Sequence, residues 1–373
     1  MVKQRHLFDV HRAAGATFRQ LVDWQVPAHF GDARGEYEAV RRAAGLVDLS
    51  HQGKVRVAGG DRTDFLHRML SADVKGLGAG RGCKAFLLNA KGHVVAYFSL
   101  YDLGDAFLAE AEPAVAPAMM EMLERYVVAD DVALEDVSEV WGLLSVQGPA
   151  APAVLADLLG GEVLPPWEPL QHAERVVAGG PVRVISNSRT GEPGYDLWVA
   201  AERAAALWGA VTEAGRRHGL RPVGLEALDV LRLEAGLAWA ADVGGDVLAM
   251  ETGLDHAISF TKGCYIGQEF VIRVAHRGHV NRRLCGLVVN GDRAPAAGDK
   301  VLAGDKEAGR ITSAAISPVL GRPIALGYVR REHAEPGSKV TVRAGDAALD
   351  AEVVALPFLK TVRPFEGSDV RKS

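Results

Sequence analysis

At 373 residues, 48% apolar and 24% charged, the chain has the composition of an ordinary soluble globular protein and exceeds the size at which one hydrophobic core stops growing, so two or three domains are expected. A formal charge of −5 without any long basic block argues against nucleic acid as a partner. Polar sequence after Met1, apolar runs far below the ~20 residues of a membrane span, and three cysteines without CxxC spacing argue against export, membrane insertion, a disulfide framework and a self-contained metal site. A reducing, cytoplasmic setting is the expectation.

Along the chain, residues 36–44 carry a helical pattern and 45–50 then alternate apolar and polar, as a strand does. Val55 and Val57 continue as a strand into the Gly59-Gly60 turn, and Asp61 opens an amphipathic helix bearing Phe65, Leu66, Met69 and Leu70. Residues 86–89 and 94–101 read as strands around Ala90-Lys91-Gly92, followed by a strand near 107–109 and a helix over 113–126. A second set follows, with strands at 141–146, 182–186 and 195–199 and helices at 201–218 and 225–234. Beyond Arg283 the helical pattern stops. Short apolar runs at 284–289, 301–302, 325–329, 339–342 and 351–355, set off by Gly and Pro, predict a small β-barrel or sandwich. Residues 360–373 are polar and aperiodic, and partial disorder is expected there. The fold class is α+β.

The string KGCYIGQE at 262–269 resembles the signature of the YgfZ family, and HRGHVNRRLCGL at 276–287 resembles the basic segment that follows it there. Separated blocks in the right order, DWQVPAHFGD from Asp23, EYEAVRRAAGLVDLSH, VQGP at Val146, TGEPGYD at Thr190 and LRLEAG at Leu231, extend the resemblance to the wider glycine-cleavage T-protein (aminomethyltransferase) superfamily. That resemblance implies an α+β, three-domain ring around a folate-binding opening, two α+β lobes plus a C-terminal β-barrel. The corresponding boundaries are 1–50 with 139–280 for a discontinuous folate-binding lobe, 51–138 for the second lobe, 281–359 for the barrel and 360–373 for a tail.

The resemblance also implies tetrahydrofolate, or a one-carbon derivative of it, as cofactor. A pterin offers adjacent N–H donors, and a carboxylate accepting two of them makes a strong, directional pair. The position matching the superfamily's pterin-binding Glu is Asp196, with Glu192 in the adjoining turn and Tyr195 beside it; a solvated strand or turn residue is the competing reading. An Arg ligand of the superfamily corresponds to Leu228. Arg232 and Glu234 match their block but read more simply as a structural ion pair or cap. Lys262, Arg273, Arg277, Arg282 and Arg283 concentrate positive charge that could meet a folate glutamate tail, or be a solvated face. Trp24, His29, Phe30, Tyr195 and Trp198 could line an aromatic pocket, with core packing as the default.

Where aminomethyltransferases carry paired Asp, this chain has Ala96 and Tyr97. Charged groups of that kind contribute ~3 kcal/mol to a transition state, so their loss counts against the glycine-cleavage reaction and leaves catalysis open. Cys264, close to the Lys262 cation, is the candidate functional thiol, against the commoner fate of an inert Cys. The leading expectation is therefore a YgfZ-like tetrahydrofolate-binding protein supporting iron-sulfur protein maturation or repair, with folate and iron-sulfur client proteins as partners. The alternatives are a tetrahydrofolate-dependent aminomethyl- or methyltransferase and a non-catalytic scaffold without folate.

Overall fold

The computed structural model describes residues 6–360, and of Arg277 only the backbone. The tail expectation falls, apart from Lys360, outside the described residues. Two compact units divide the chain: one holds the sequence up to Leu66 with Val74–Lys84 and Phe98–Leu228, the other His67–Asp73, Ala85–Tyr97 and the sequence from Asp229 onward.

The first unit is built on a six-stranded sheet in the order His172–Val177, Gly180–Ser186, Gly194–Ala200, Trp141–Gln147, Ala44–Asp48, Leu220–Val223. All neighbours are antiparallel except the last pair, which runs parallel. Side chains alternate across a strand, and the apolar half of each strand faces the helices Ala151–Leu158 and Ala204–Gly215. Leu46, Leu144, Val146, Leu197, Val199, Leu207 and Trp208 form that core. The helix Ala33–Arg42 starts at Asp32, whose side chain accepts from Gly35 N at 2.9 Å. Its buried Glu36 accepts from Phe30 N at 2.6 Å and Gly224 N at 2.8 Å, so one carboxylate pins the helix to two loops. A second sheet in this unit pairs residues 99–102 with 107–110, and sets the strand Gly53–Ala58 between Phe107–Ala111 and Ala133–Asp136.

The second unit ends in a closed six-stranded barrel ordered Arg282–Val289, Arg322–Arg330, Lys306–Ser317, Lys300–Ala303, Lys339–Ala344, Ala347–Val354. The apolar runs beyond Arg283 supply most of its core, with Leu287, Val289, Val301, Val329, Val342 and Val353 inside and Ile311 added from between the runs. Its longest strand, Lys306–Ser317, was not anticipated: KEAGRITSAAIS has no apolar run, and the segment is held extended by pairing to neighbours on both sides. The helix Gln268–Arg277, which begins at the Gln of KGCYIGQE, also went unread. Among the described residues no helix is long and apolar enough to cross a membrane.

Candidate functional site

The strand Gly194–Ala200 positions the first-unit site. Tyr195, Leu197 and Val199 turn toward the helices, which leaves Asp196 and Trp198 on the opposite face. Tyr195 and Asp196, grouped together from sequence, therefore cannot serve one pocket; Tyr195 packs with the core, and burial raises its phenol's pKa. Asp196 does not present an open carboxylate either. It is 0% exposed, and accepts from Asn187 Nδ2 at 2.7 Å and from Arg189 Nε at 3.1 Å and Nη2 at 2.6 Å. The same Nη2 donates to Glu110 Oε1 at 2.6 Å, and Tyr101 Oη donates to Glu110 Oε2 at 3.1 Å.

This cluster has a local cause. Gly194 leaves no room for a Cβ, which would stand 2.3 Å from the buried Gln147 side chain. Gln147 in turn donates to Asn187 O at 2.9 Å and accepts from Arg189 N at 2.8 Å, so the segment before TGEPGYD is held from beneath. Electrostatics follow the geometry. Burial opposes the charge on Glu110, but Arg189 and Lys84 overcome it and hold the carboxyl below its usual range. Burial likewise works against the Arg189 guanidinium, and Asp196 and Glu110 more than compensate. Lys84, whose Nζ donates to Ser99 Oγ at 2.8 Å, is pulled down by burial and only partly restored by Glu110.

Arg189, Glu110 and Lys84 were not read from sequence as site residues. Their signal was present: Glu110 interrupts the buried run Phe107–Ala111, and Lys84 precedes the buried AFLL of its own strand. Arg189 keeps 17% of its side chain exposed, and its Nη1 makes no hydrogen bond among the described residues. Beside the cluster, Trp198 meets Tyr101 edge-on at 5.4 Å and Trp141 at 6.4 Å. His172 lies 5.7 Å from Tyr101, and burial, then Arg183, bring its pKa down to about 4.

The other sequence candidates lie elsewhere. Glu192 pairs with Arg41 Nη1 at 2.9 Å, which fastens its turn to the helix Ala33–Arg42. Phe30 packs near Trp208 and His11, and Trp24 is buried on its hairpin strand. Leu228 is buried. In the second unit, Lys262 Nζ donates to the carbonyls of His67, of Leu70 at 2.6 Å and of Ala72 at 2.9 Å, so this cation ties down backbone rather than facing solvent anions. Cys264 is a free, exposed thiol, whereas Cys285 is buried and pushed up to about 11 by that burial. The side chain of Arg277 lies outside the described residues. Arg232 pairs with Asp229 and Asp242, each at 2.7 Å, and Glu234 accepts from Ser317 Oγ, which makes both structural. Ala96 is buried, and Tyr97 Oη lies 3.1 Å from His256 Nε2, its phenol raised by burial, so no negative charge stands at either position.

An α+β body followed by a closed six-stranded barrel puts the chain in the aminomethyltransferase-like class. A crystal structure of the glycine cleavage system aminomethyltransferase T from Bartonella henselae superposes with a TM-score of 0.88 at 27% identity, over 98% of this chain and 100% of that one. Residues 7–262 match the GCVT N-terminal domain and 282–360 the glycine cleavage T-protein C-terminal barrel domain; the chain belongs to the glycine cleavage T-protein family. Among curated relatives it is 36% identical over 362 residues to an aminomethyltransferase of Saccharopolyspora erythraea, covering 96% of this chain and 98% of the relative. An aminomethyltransferase of Bacillus subtilis is 30% identical over 364 residues, covering 96% and 100%.

Proposed function

We propose that this protein binds tetrahydrofolate or a one-carbon derivative and transfers an aminomethyl or methyl group, by a chemistry that does without the paired carboxylates. The observation that carries this reading is the cluster of Arg189 and Glu110 around Asp196 of the TGEPGYD segment, with Arg189 Nη1 left without a hydrogen bond among the described residues. Folate fits the donor set in a modified way. Asp196 and Glu110 are spent on Arg189, so Asp196 acts as a positioning residue, and Arg189 Nη1 is the group that can donate to a pterin carbonyl. Bound folate would supply the nitrogen that accepts or releases the one-carbon unit; the protein's part is to orient the heterocycle. The names of the relatives favour transfer over the YgfZ-type role.

Calorimetric titration with tetrahydrofolate tests the reading. Saturable binding is expected, weakened about tenfold or more in Arg189→Lys, which keeps the charge but loses the planar fork. Absence of saturable binding in the parent chain would sink it. Transfer of a one-carbon group from a small amine donor to tetrahydrofolate is the matching activity assay.

A second reading is kept because of one observation, the exposed free thiol of Cys264 inside KGCYIGQE. On it the protein supports iron-sulfur client proteins, and Cys264→Ser abolishes that support while leaving tetrahydrofolate binding unchanged.

A further inference from the structure

The second unit contains a cavity of about 840 Å³, in the range that holds a metabolite-sized ligand. Its walls come from the barrel strands and the segment leading into them, and include Asp246, Arg282, Arg310, Tyr328, Arg330 and Arg331. Four guanidiniums face three carboxylates there, those of Asp246, Glu307 and Glu332. One group of each sign is already engaged outside the wall set, since Glu307 pairs with Lys300 at 2.7 Å and Arg282 Nε with Glu251 at 3.0 Å. Asp246 serves two cations, reaching Arg310 Nη2 at 2.5 Å and Arg282 Nη2 at 3.3 Å. Arg330 and Arg331 make no side-chain hydrogen bond or ion pair among the described residues, and both are exposed.

A second observation is independent of that charge. Tyr328 is 1% exposed and lines the cavity, yet its hydroxyl has no hydrogen-bond partner among the described residues. A buried donor left unpaired costs about 1–3 kcal/mol. Burial holds this phenol protonated, so its O–H is available to donate at neutral pH. The Arg282 guanidinium sits 5.3 Å over its ring and keeps the ring in place.

We propose that this cavity is a second binding site, for a small molecule bearing an oxyanion, carboxylate or phosphate, with Arg330 and Arg331 pairing its charge and Tyr328 donating to one of its oxygens. The site stands apart from the folate reading: its walls belong to the second unit, and neither probe named below contains a pterin.

The test is calorimetric titration of the full chain, at constant ionic strength, with inorganic phosphate in one arm and glutarate in the other. Saturable one-to-one binding is expected in at least one arm, and the stronger arm identifies phosphate or carboxylate as the natural group. Affinity should fall about tenfold or more in the Arg330→Gln/Arg331→Gln double variant and about fivefold in Tyr328→Phe. Unliganded Tyr328→Phe should melt no lower than the parent, because the hydroxyl it removes has nothing to lose. No saturable binding in either arm, binding undiminished in the double variant, or Tyr328→Phe melting several degrees lower would each overturn the proposal.

Discussion

The charged cluster around Arg189 and the cavity around Arg330 use the same residue types in opposite ways. In the first unit two buried carboxylates are matched to one guanidinium, with Lys84 near enough to add to the balance. Along the cavity wall of the second unit four guanidiniums, two of them exposed and without an ion pair among the described residues, stand against three carboxylates, and a buried hydroxyl has no partner among the described residues. Buried charges must be paired or they shift and neutralise, so the first arrangement is a device for rigidity. Exposed charges carry no such obligation, and the second arrangement remains available to a ligand.

That contrast can be broken most forcefully at Arg189. Replacing it with Met leaves Asp196 and Glu110 buried without their cation, and a loss of about 3–5 kcal/mol is expected in denaturant unfolding. Adding Asp196→Asn and Glu110→Gln should recover part of it, because the stranded charges go with it. A loss below about 1 kcal/mol would mean that water reaches the cluster.

A smaller effect is expected from pH. His172, beside Tyr101 in the same unit, has its pKa brought from 6.5 down to about 4. Between those values the unfolded chain takes up a proton that the folded chain refuses. Stability should therefore fall as pH is lowered through this window, by about 3 kcal/mol at most, with nothing further from this group below it. His172→Phe should remove that slope in unfolding measured against pH. The smallest effect belongs to the second region. Arg330→Gln should change stability by no more than about 0.5 kcal/mol, since the side chain it alters is exposed and makes no ion pair among the described residues. A larger loss would make Arg330 structural and erase the distinction between the two regions.

Much of the architecture was legible because it is periodic. The alternation in 45–50 and the apolar runs beyond Arg283 reappear as the strand Ala44–Asp48 and as barrel strands. The strand Lys306–Ser317 was illegible because its order comes from its neighbours' hydrogen bonds rather than from its own apolar content. The site divides in the same way. Asp196 could be singled out from its motif, but Lys262 as a cap on three carbonyls could not, since those acceptors lie nearly two hundred positions earlier in the chain.

What the amino-acid sequence determined by itself is the aminomethyltransferase superfamily, though not the YgfZ-type branch, together with the α+β class, the terminal barrel and the absence of a carboxylate at Ala96 and Tyr97. Those are matters of residue identity and local period, which a chain carries before it folds. Only the tertiary structure decided that Asp196 is spent on Arg189, that Tyr195 faces away from it, and that the buried Tyr328 hydroxyl has no hydrogen-bond partner among the described residues. Each of these depends on which groups from distant strands share one small volume, where the cost of an unpaired charge or hydroxyl is set by what else has come to lie there.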